Sequence, residues 1–506
     1  MPITLSCLLR VVLAMTLAGA LSAVAGAQDT VKDHAPASAT EQREPGKGVL
    51  RLLPADSVTE HSINIPRGKL AYTATAGTLA FYDQSGEQSA SVFYTAYVAK
   101  DAPPNRPLTF VFNGGPGAAS AFLHLGLVGP RILDFGPDGH DPTRASLRDN
   151  PDTWLAFTDL VLIDPIGTGW SRAAKRDDAK SFWSVQGDAG AMAKAIALYV
   201  AKNNRAGSPK YLFGESYGGF RAAKTARALQ SEQGILISGI VMLSPLLEGW
   251  LTFGDDQSAL NAALQLPSLA AAELERKNAF SPDALAAAEK FAMTDYLTTL
   301  AGAPPKGEAA KTFYERVAKM AGLPVDAVTQ ARGFAANAYV KTSRAPEGKI
   351  VSRYDATFAV DDPYPERRSS RSPDPILDVV TRAYGGAMAS YARNELGFKT
   401  EMTYTLLASD VQWDWQSGGR VQASAEDDLR TLLAYDPSFR LLIAHGYSDM
   451  ITPYAVTRYV LDHMPAFDPP GRAQLKLYRG GHMIYLDPQS RKAFTADASA
   501  FYRGGE

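Results

Sequence analysis

Ser216 stands in the run Phe213-Gly214-Glu215-Ser216-Tyr217-Gly218-Gly219, between a short β-like segment, Lys210–Phe213, and a helix-like run from Phe220 to Leu229. A Gly-x-Ser-x-Gly spacing set between strand and helix describes a nucleophile elbow, with the serine on a sharp turn and its hydroxyl free. Small residues at Gly214 and Gly218 let strand and helix pass closely, and the Tyr217 N–H then faces the oxygen that turns negative during acyl transfer. The spacing alone also fits a glycine-rich turn with a capping serine, because short motifs recur by chance.

A serine hydroxyl is a weak nucleophile at neutral pH. It needs a base beside it and an acid to orient that base. In a sheet of this kind the partners follow in the order serine, acid, histidine, each after a strand. The apolar run Arg440–Ala444 leads into His445-Gly446-Tyr447-Ser448-Asp449, and Gln474–Tyr478 leads into Arg479-Gly480-Gly481-His482-Met483. Asp449 and His482 therefore fall where acid and base are required. His34, His61, His124, His140 and His463 lack the strand-end glycine context, and His445 precedes the acid, which is the wrong order. Asp410, Asp414 and Asp436 are weaker rivals to Asp449. The second oxyanion donor is expected from an earlier strand-end loop. Asn113-Gly114-Gly115-Pro116-Gly117, after the apolar Leu108–Phe112, supplies the Gly115 N–H.

The surrounding elements must hold three loops at one sheet edge. Lys69–Thr75, Thr78–Tyr82 and Ser91–Val98 alternate aromatic and β-branched residues around a turn at Asp83–Gly86, which predicts an antiparallel meander. Continuous apolar runs at 108–112, 160–163, 210–213, 235–243 and 440–444 alternate with helical stretches such as Asp188–Lys202. That pattern marks a mostly parallel sheet covered on both faces. From Glu248 to about Pro375 the chain reads as Ala- and Leu-rich helices with no clear parallel strand. The run Arg367-Arg368-Ser-Ser-Arg-Ser reads as a solvated loop. A helix over Ser490–Tyr502 closes the chain.

The 506 residues carry a formal net charge of -2, with 46% hydrophobic and 21% charged residues. No basic stripe points to nucleic acid, and no acidic tail points to a basic partner. Arg10, the apolar Val11–Val24 and Ala25-Gly26-Ala27 predict a secretory signal over residues 1–27, too short for a comfortable membrane span. A flexible polar linker follows over 28–60, with ordered structure beginning near His61. The single cysteine, Cys7, lies in that signal, so the mature chain carries no disulfide, thiolate nucleophile or cysteine-based metal site.

Four motifs together resemble the serine carboxypeptidase family (peptidase family S10), and the match is to a bacterial-type exported member. They are Asn113-Gly-Gly-Pro-Gly-Ala-Ala-Ser, Ile163-Asp-Pro-Ile-Gly-Thr-Gly-Trp-Ser, Gly214-Glu-Ser-Tyr-Gly-Gly, and Gly481-His-Met with the Gly446–Asp449 loop. The resemblance implies an α/β-hydrolase fold with an inserted helical cap: core over 61–248 and 376–506, cap over 249–375. It implies Ser216 as nucleophile, His482 as base then acid, Asp449 as its orienter, and Gly115 and Tyr217 as the oxyanion hole. It also implies that Asn113, Gly114 and Glu215 grip the substrate's terminal carboxylate, and that no metal or cofactor takes part. Peptides are the expected substrates, with no nucleic-acid partner and no membrane association after signal cleavage; the setting is periplasmic or secreted. Two departures stand out. The glycine loop carries Ala118 and Ala119 where relatives often have a cysteine, and Leu127 stands where relatives often have a second glutamate. The expected activity is an exported serine carboxypeptidase; the alternatives are an esterase or acyltransferase on the same triad, and an inactive binding module.

Overall fold

A computed structural model describes residues 48–136, 141–255, 257–367, 373–416 and 419–504. The expected signal over 1–27, the linker as far as residue 47, and the Arg368–Ser372 part of the arginine run lie outside the described residues.

A ten-stranded sheet dominates. Along it the strands run Ser57–Ile65, Gly68–Tyr82, Gln88–Ala99, Asp159–Ile163, Leu108–Phe112, Lys210–Glu215, Gly239–Leu243, Arg440–Gly446 and Ala473–Tyr478, with Arg172–Ala173 pairing beside Gln88–Ala99. The first three pair antiparallel, and the strands from Asp159–Ile163 onward are parallel. This is the α/β-hydrolase architecture, with the meander at one edge.

The central strands are buried on both faces because successive side chains point to opposite sides. Phe110, Phe112, Leu212, Ile240, Leu441 and Ile443 enter one core, whereas Val111, Phe213, Val241, Leu442 and Ala444 enter the other. Helices Val185–Lys202 and Tyr217–Gln233 cover the first face, while Pro488–Tyr502 packs on the second.

Three readings shift. The first strand starts at Ser57, ahead of His61, and Gly48–Leu52 forms a turn of 3-10 helix before it. Ser57–His61 alternates half-buried and exposed residues on a sheet edge, so it carries no apolar signal. The two short segments at 69–75 and 78–82 are one 15-residue strand that runs through Gly77. From Ala259 to Thr342 a series of helices builds its own core around Leu266, Leu269, Phe291 and Val317. A short antiparallel pair, Lys349–Val351 with Ala359–Asp361, follows; at three residues each its strands are too brief for a sequence pattern.

Candidate active site

The elbow is built by close backbone packing. Ser216 has φ 61° and ψ −126°, a strained conformation for a side-chain-bearing residue. Its N–H donates to the Leu243 carbonyl at 2.9 Å, and its own carbonyl accepts from Gly219 and Leu246. These bonds hold the serine between strand Lys210–Glu215 and helix Tyr217–Gln233. A Cβ on Gly214 would stand 1.9 Å from the Gly218 carbonyl oxygen, so only glycine lets strand and helix cross here.

The glycine loop lies directly against this turn. A Cβ on Gly114 would stand 2.6 Å from the Tyr217 nitrogen and 2.6 Å from the Glu215 carbonyl oxygen. The loop that carries Gly115 is thus brought beside the Tyr217 N–H. Arg221, fully buried, fastens the arrangement: it donates to the Asn113 carbonyl and, at 2.6 Å, to Asp188. Burial raises the Asp188 carboxyl above its ordinary range, and the Arg221 charge opposes that rise. The arginine sits in the helix that follows the elbow, and nothing in its local spacing marks this role.

His482 and Asp449 meet as the chain order requires. The Nδ1 of His482 is 2.8 Å from Asp449 Oδ2. Asp449 Oδ1 accepts from the backbone N–H groups of Ile451 and Thr452, and the Thr452 hydroxyl is 2.8 Å from Oδ2. The His482 loop is pinned at both ends of its peptide: its N–H donates to the Tyr354 carbonyl, and its carbonyl accepts from Ser244 Oγ at 2.9 Å. Burial lowers the affinity of His482 for a proton, but the Asp449 charge and hydrogen bond and the Glu215 charge outweigh it, so the imidazole is raised overall. The Nε2 of His445 lies instead 2.7 Å from the Thr457 hydroxyl, and burial pushes His445 down to about 4 against the raising effect of the Asp449 charge. Asp410 and Asp414 fall in an irregular stretch with no strand ahead of them, and Asp436 follows helix Glu426–Tyr435 at the far end of its strand from Asp449.

Glu215 is buried next to Ser216. The Nδ2 of Asn113 donates to its Oε2, and the Tyr485 hydroxyl lies 3.2 Å from both carboxyl oxygens. Asn113 is fixed in turn because its Oδ1 accepts from the Leu123 N–H at 3.0 Å. Burial pushes Glu215 up to about 7, against the lowering effects of His482 and of the Tyr485 and Asn113 hydrogen bonds. Leu127 is buried in the apolar core. Tyr485 is absent from the sequence reading, since a tyrosine three residues after the histidine carries no signal of its own.

Asn113, Gly114, Gly115, Glu215, Ser216, Tyr217 and His482 all line one cavity of about 240 Å³. That is room for the end of a chain. Trp415, Arg420 at the start of the 3-10 turn Arg420–Gln422, and Phe253 at the end of helix Gly249–Phe253 complete its wall. Among the described residues no group of three or more His, Cys, Asp or Glu side chains is placed to hold a metal ion. The arrangement has the parts for acyl transfer through a serine.

The family model described as serine carboxypeptidase matches residues 70–469. Ser216 and Asp449 lie within that stretch, whereas His482 lies beyond it and is located by geometry. The chain is 28% identical over 206 residues to serine carboxypeptidase-like 41 of Arabidopsis thaliana, covering 38% of this chain and 40% of that one. It is 29% identical over 185 residues to the pheromone-processing carboxypeptidase KEX1 of Yarrowia lipolytica, covering 36% of this chain and 27% of that one. The matched stretches thus span less than half of these relatives. The crystal structure of Kex1(delta)p, a prohormone-processing carboxypeptidase from Saccharomyces cerevisiae, superposes with a TM-score of 0.53 over 85% of this chain and 91% of that one, at 14% identity. That likeness is one of fold.

Proposed function

The chain belongs to the serine carboxypeptidase family, and on that footing we propose that it removes residues one at a time from the C-terminus of peptides through an acyl-enzyme on Ser216. The observation that carries this reading is Glu215: a buried carboxyl, raised to about 7 and braced by Asn113, beside the nucleophile. A carboxyl that keeps its proton near neutrality can share it with a substrate's terminal carboxylate, where an ionised one would repel it. An ester that lacks a free terminal carboxylate would not engage this group.

In this scheme His482 takes the Ser216 proton as Oγ attacks the scissile carbonyl. Asp449 orients the imidazole and stabilises its charged form. The Tyr217 and Gly115 N–H groups receive the developing oxyanion, where a single such donor is worth roughly 10²–10³ in rate. His482 then passes its proton to the leaving amine, the terminal residue departs, and water repeats the cycle on the acyl-enzyme. Gly114 and Asn113 complete the grip on the chain end. The 249–375 insertion serves as a cap, with core segments at 61–248 and 376–506.

Export is part of the proposal. No described helix is long and apolar enough to cross a membrane, and a signal over residues 1–27 would deliver the mature chain to the periplasm or the medium. The test of the activity compares N-blocked dipeptides with the corresponding esters. The reading requires kcat/KM on free-carboxyl peptides to exceed that on the C-terminally amidated forms; turnover confined to esters contradicts it.

A further inference from the structure

Beside Asn113 and Glu215, the catalytic cavity has a second wall of different character. Tyr217, Leu246, Phe253, Trp415 and Arg420 form it. The Trp415 ring meets Tyr217 edge-on at 5.5 Å, and the Arg420 guanidinium lies 4.1 Å over the Phe253 ring. Arg420 is exposed; its carbonyl accepts from the Ala423 N–H at 3.2 Å, and the residues that follow are tied to segment 247–249. The Gly249 N–H donates to the Ala423 carbonyl at 2.7 Å, the Ala425 N–H donates to Leu247 at 2.8 Å, and the Ser424 hydroxyl donates to Glu248. A Cβ on Gly249 would stand 2.0 Å from the Arg420 carbonyl oxygen, so the two segments interlock. Among the described residues no carboxylate forms an ion pair with Arg420, unlike Arg221, which is tied to Asp188.

An arginine stacked on an aromatic ring at a cavity wall, without an acid of its own, presents its charge to whatever enters. Under the reading above, the chain terminus is engaged by Asn113 and Glu215. Because this wall includes Tyr217, whose N–H receives the oxyanion of the attacked carbonyl, it faces the acyl side of the scissile bond, where the side chain of the residue before that bond lies. We propose that Arg420 makes the enzyme prefer peptides with aspartate or glutamate at the penultimate position, the carboxylate meeting the guanidinium while the methylenes lie against Trp415 and Phe253. This inference rests on the carboxypeptidase reading.

The test uses N-blocked dipeptides sharing one C-terminal residue, with Glu, Gln or Lys before it, at low and high salt. The wild type is expected to favour Glu over Gln by roughly two- to fivefold, the range of a solvent-exposed ion pair, with the preference shrinking as salt screens it. Arg420→Gln should bring the ratio of kcat/KM on Glu and Gln substrates to about one, Arg420→Lys should retain part of the Glu preference, and Arg420→Glu should turn it toward Lys. An unchanged Glu to Gln ratio in Arg420→Gln overturns the inference. So does an equal fall on all three substrates, which would assign Arg420 to the terminal carboxylate or to the fold. Absence of hydrolysis of every peptide by the wild type overturns the carboxypeptidase reading itself; hydrolysis without charge preference overturns this inference alone.

Discussion

The hydroxyl of Tyr485 lies 3.2 Å from each carboxyl oxygen of Glu215. Where the family resemblance leads one to expect a second carboxyl, the chain has Leu127, which is buried in the apolar core. Among the described residues the side chains hydrogen-bonded to the Glu215 carboxyl are Tyr485 and Asn113, both able to donate to it. A donor favours the charged carboxylate, so Tyr485 works against the burial that raises Glu215. Tyr485→Phe should therefore raise the Glu215 pKa further, by about one unit or less, the worth of one hydrogen bond. Michaelis constants measured against pH should show their rise displaced to higher pH, with little change in kcat at acid pH. A midpoint moved downward contradicts this assignment.

Glu215→Gln addresses the same carboxyl directly. If a shared proton is needed to bind the chain end, the wild-type KM should rise through about pH 7, where Glu215 loses that proton. An amide donates at any pH, so the variant's KM should be flat across this range. An unchanged wild-type profile in Glu215→Gln would mean that Glu215 is not the carboxylate sensor.

Stability should follow the same group. With its folded pKa raised from 4.5 to about 7, Glu215 keeps a proton in the folded state that the unfolded chain has already lost. Its contribution is therefore intact below about pH 4.5 and is lost as pH rises through 7, by roughly 3 kcal/mol in all. Melting temperatures of Glu215→Gln should decline less than the wild type's between these limits. Parallel curves would show that burial of this carboxyl costs less than its surroundings indicate.

Gly114→Ala tests the closeness of the glycine loop to the elbow. The added Cβ would meet the Glu215 carbonyl oxygen and the Tyr217 nitrogen at 2.6 Å and the Gly218 nitrogen at 2.7 Å; all three are backbone atoms, so the loop itself must move. Loss of oxyanion alignment should lower kcat by roughly 10²–10³, with a smaller effect on KM. Near-normal kcat would place the loop outside the chemistry.

The elbow and the Asp449 and His482 loops were legible because each pairs a chemically distinctive residue with strand-end glycines, and because chain order constrains which residues can be partners. The parallel core was legible from runs such as Leu108–Phe112, apolar on both faces. The rest of the cavity was not. Tyr485, Trp415 and Arg420 sit on irregular backbone or a single 3-10 turn, where no periodicity carries information, and their roles depend on tertiary proximity. Arg221 was hidden for another reason: it lies on a helix whose Ala, Lys and Arg content reads as an exposed face, yet it is fully buried against Asp188.

The N-terminal reading has its own check. If cleavage follows Ala27, N-terminal sequencing of exported protein should begin at Gln28, and the mature chain, lacking Cys7, should give no reaction with a thiol reagent. A reactive thiol on exported protein would show that the leader is retained.

The central claim is that a chain end is read by Glu215 and cut through Ser216. Mass spectrometry of an N-blocked peptide during incubation tests it most directly, with the C-terminally amidated peptide and the Ser216→Ala variant as controls. The account predicts successive loss of single residues from the C-terminus, strong suppression by amidation, and a fall of roughly a millionfold in Ser216→Ala with the fold retained. Cleavage at internal bonds, equal turnover of free and amidated peptide, or persistent activity in Ser216→Ala would contradict it.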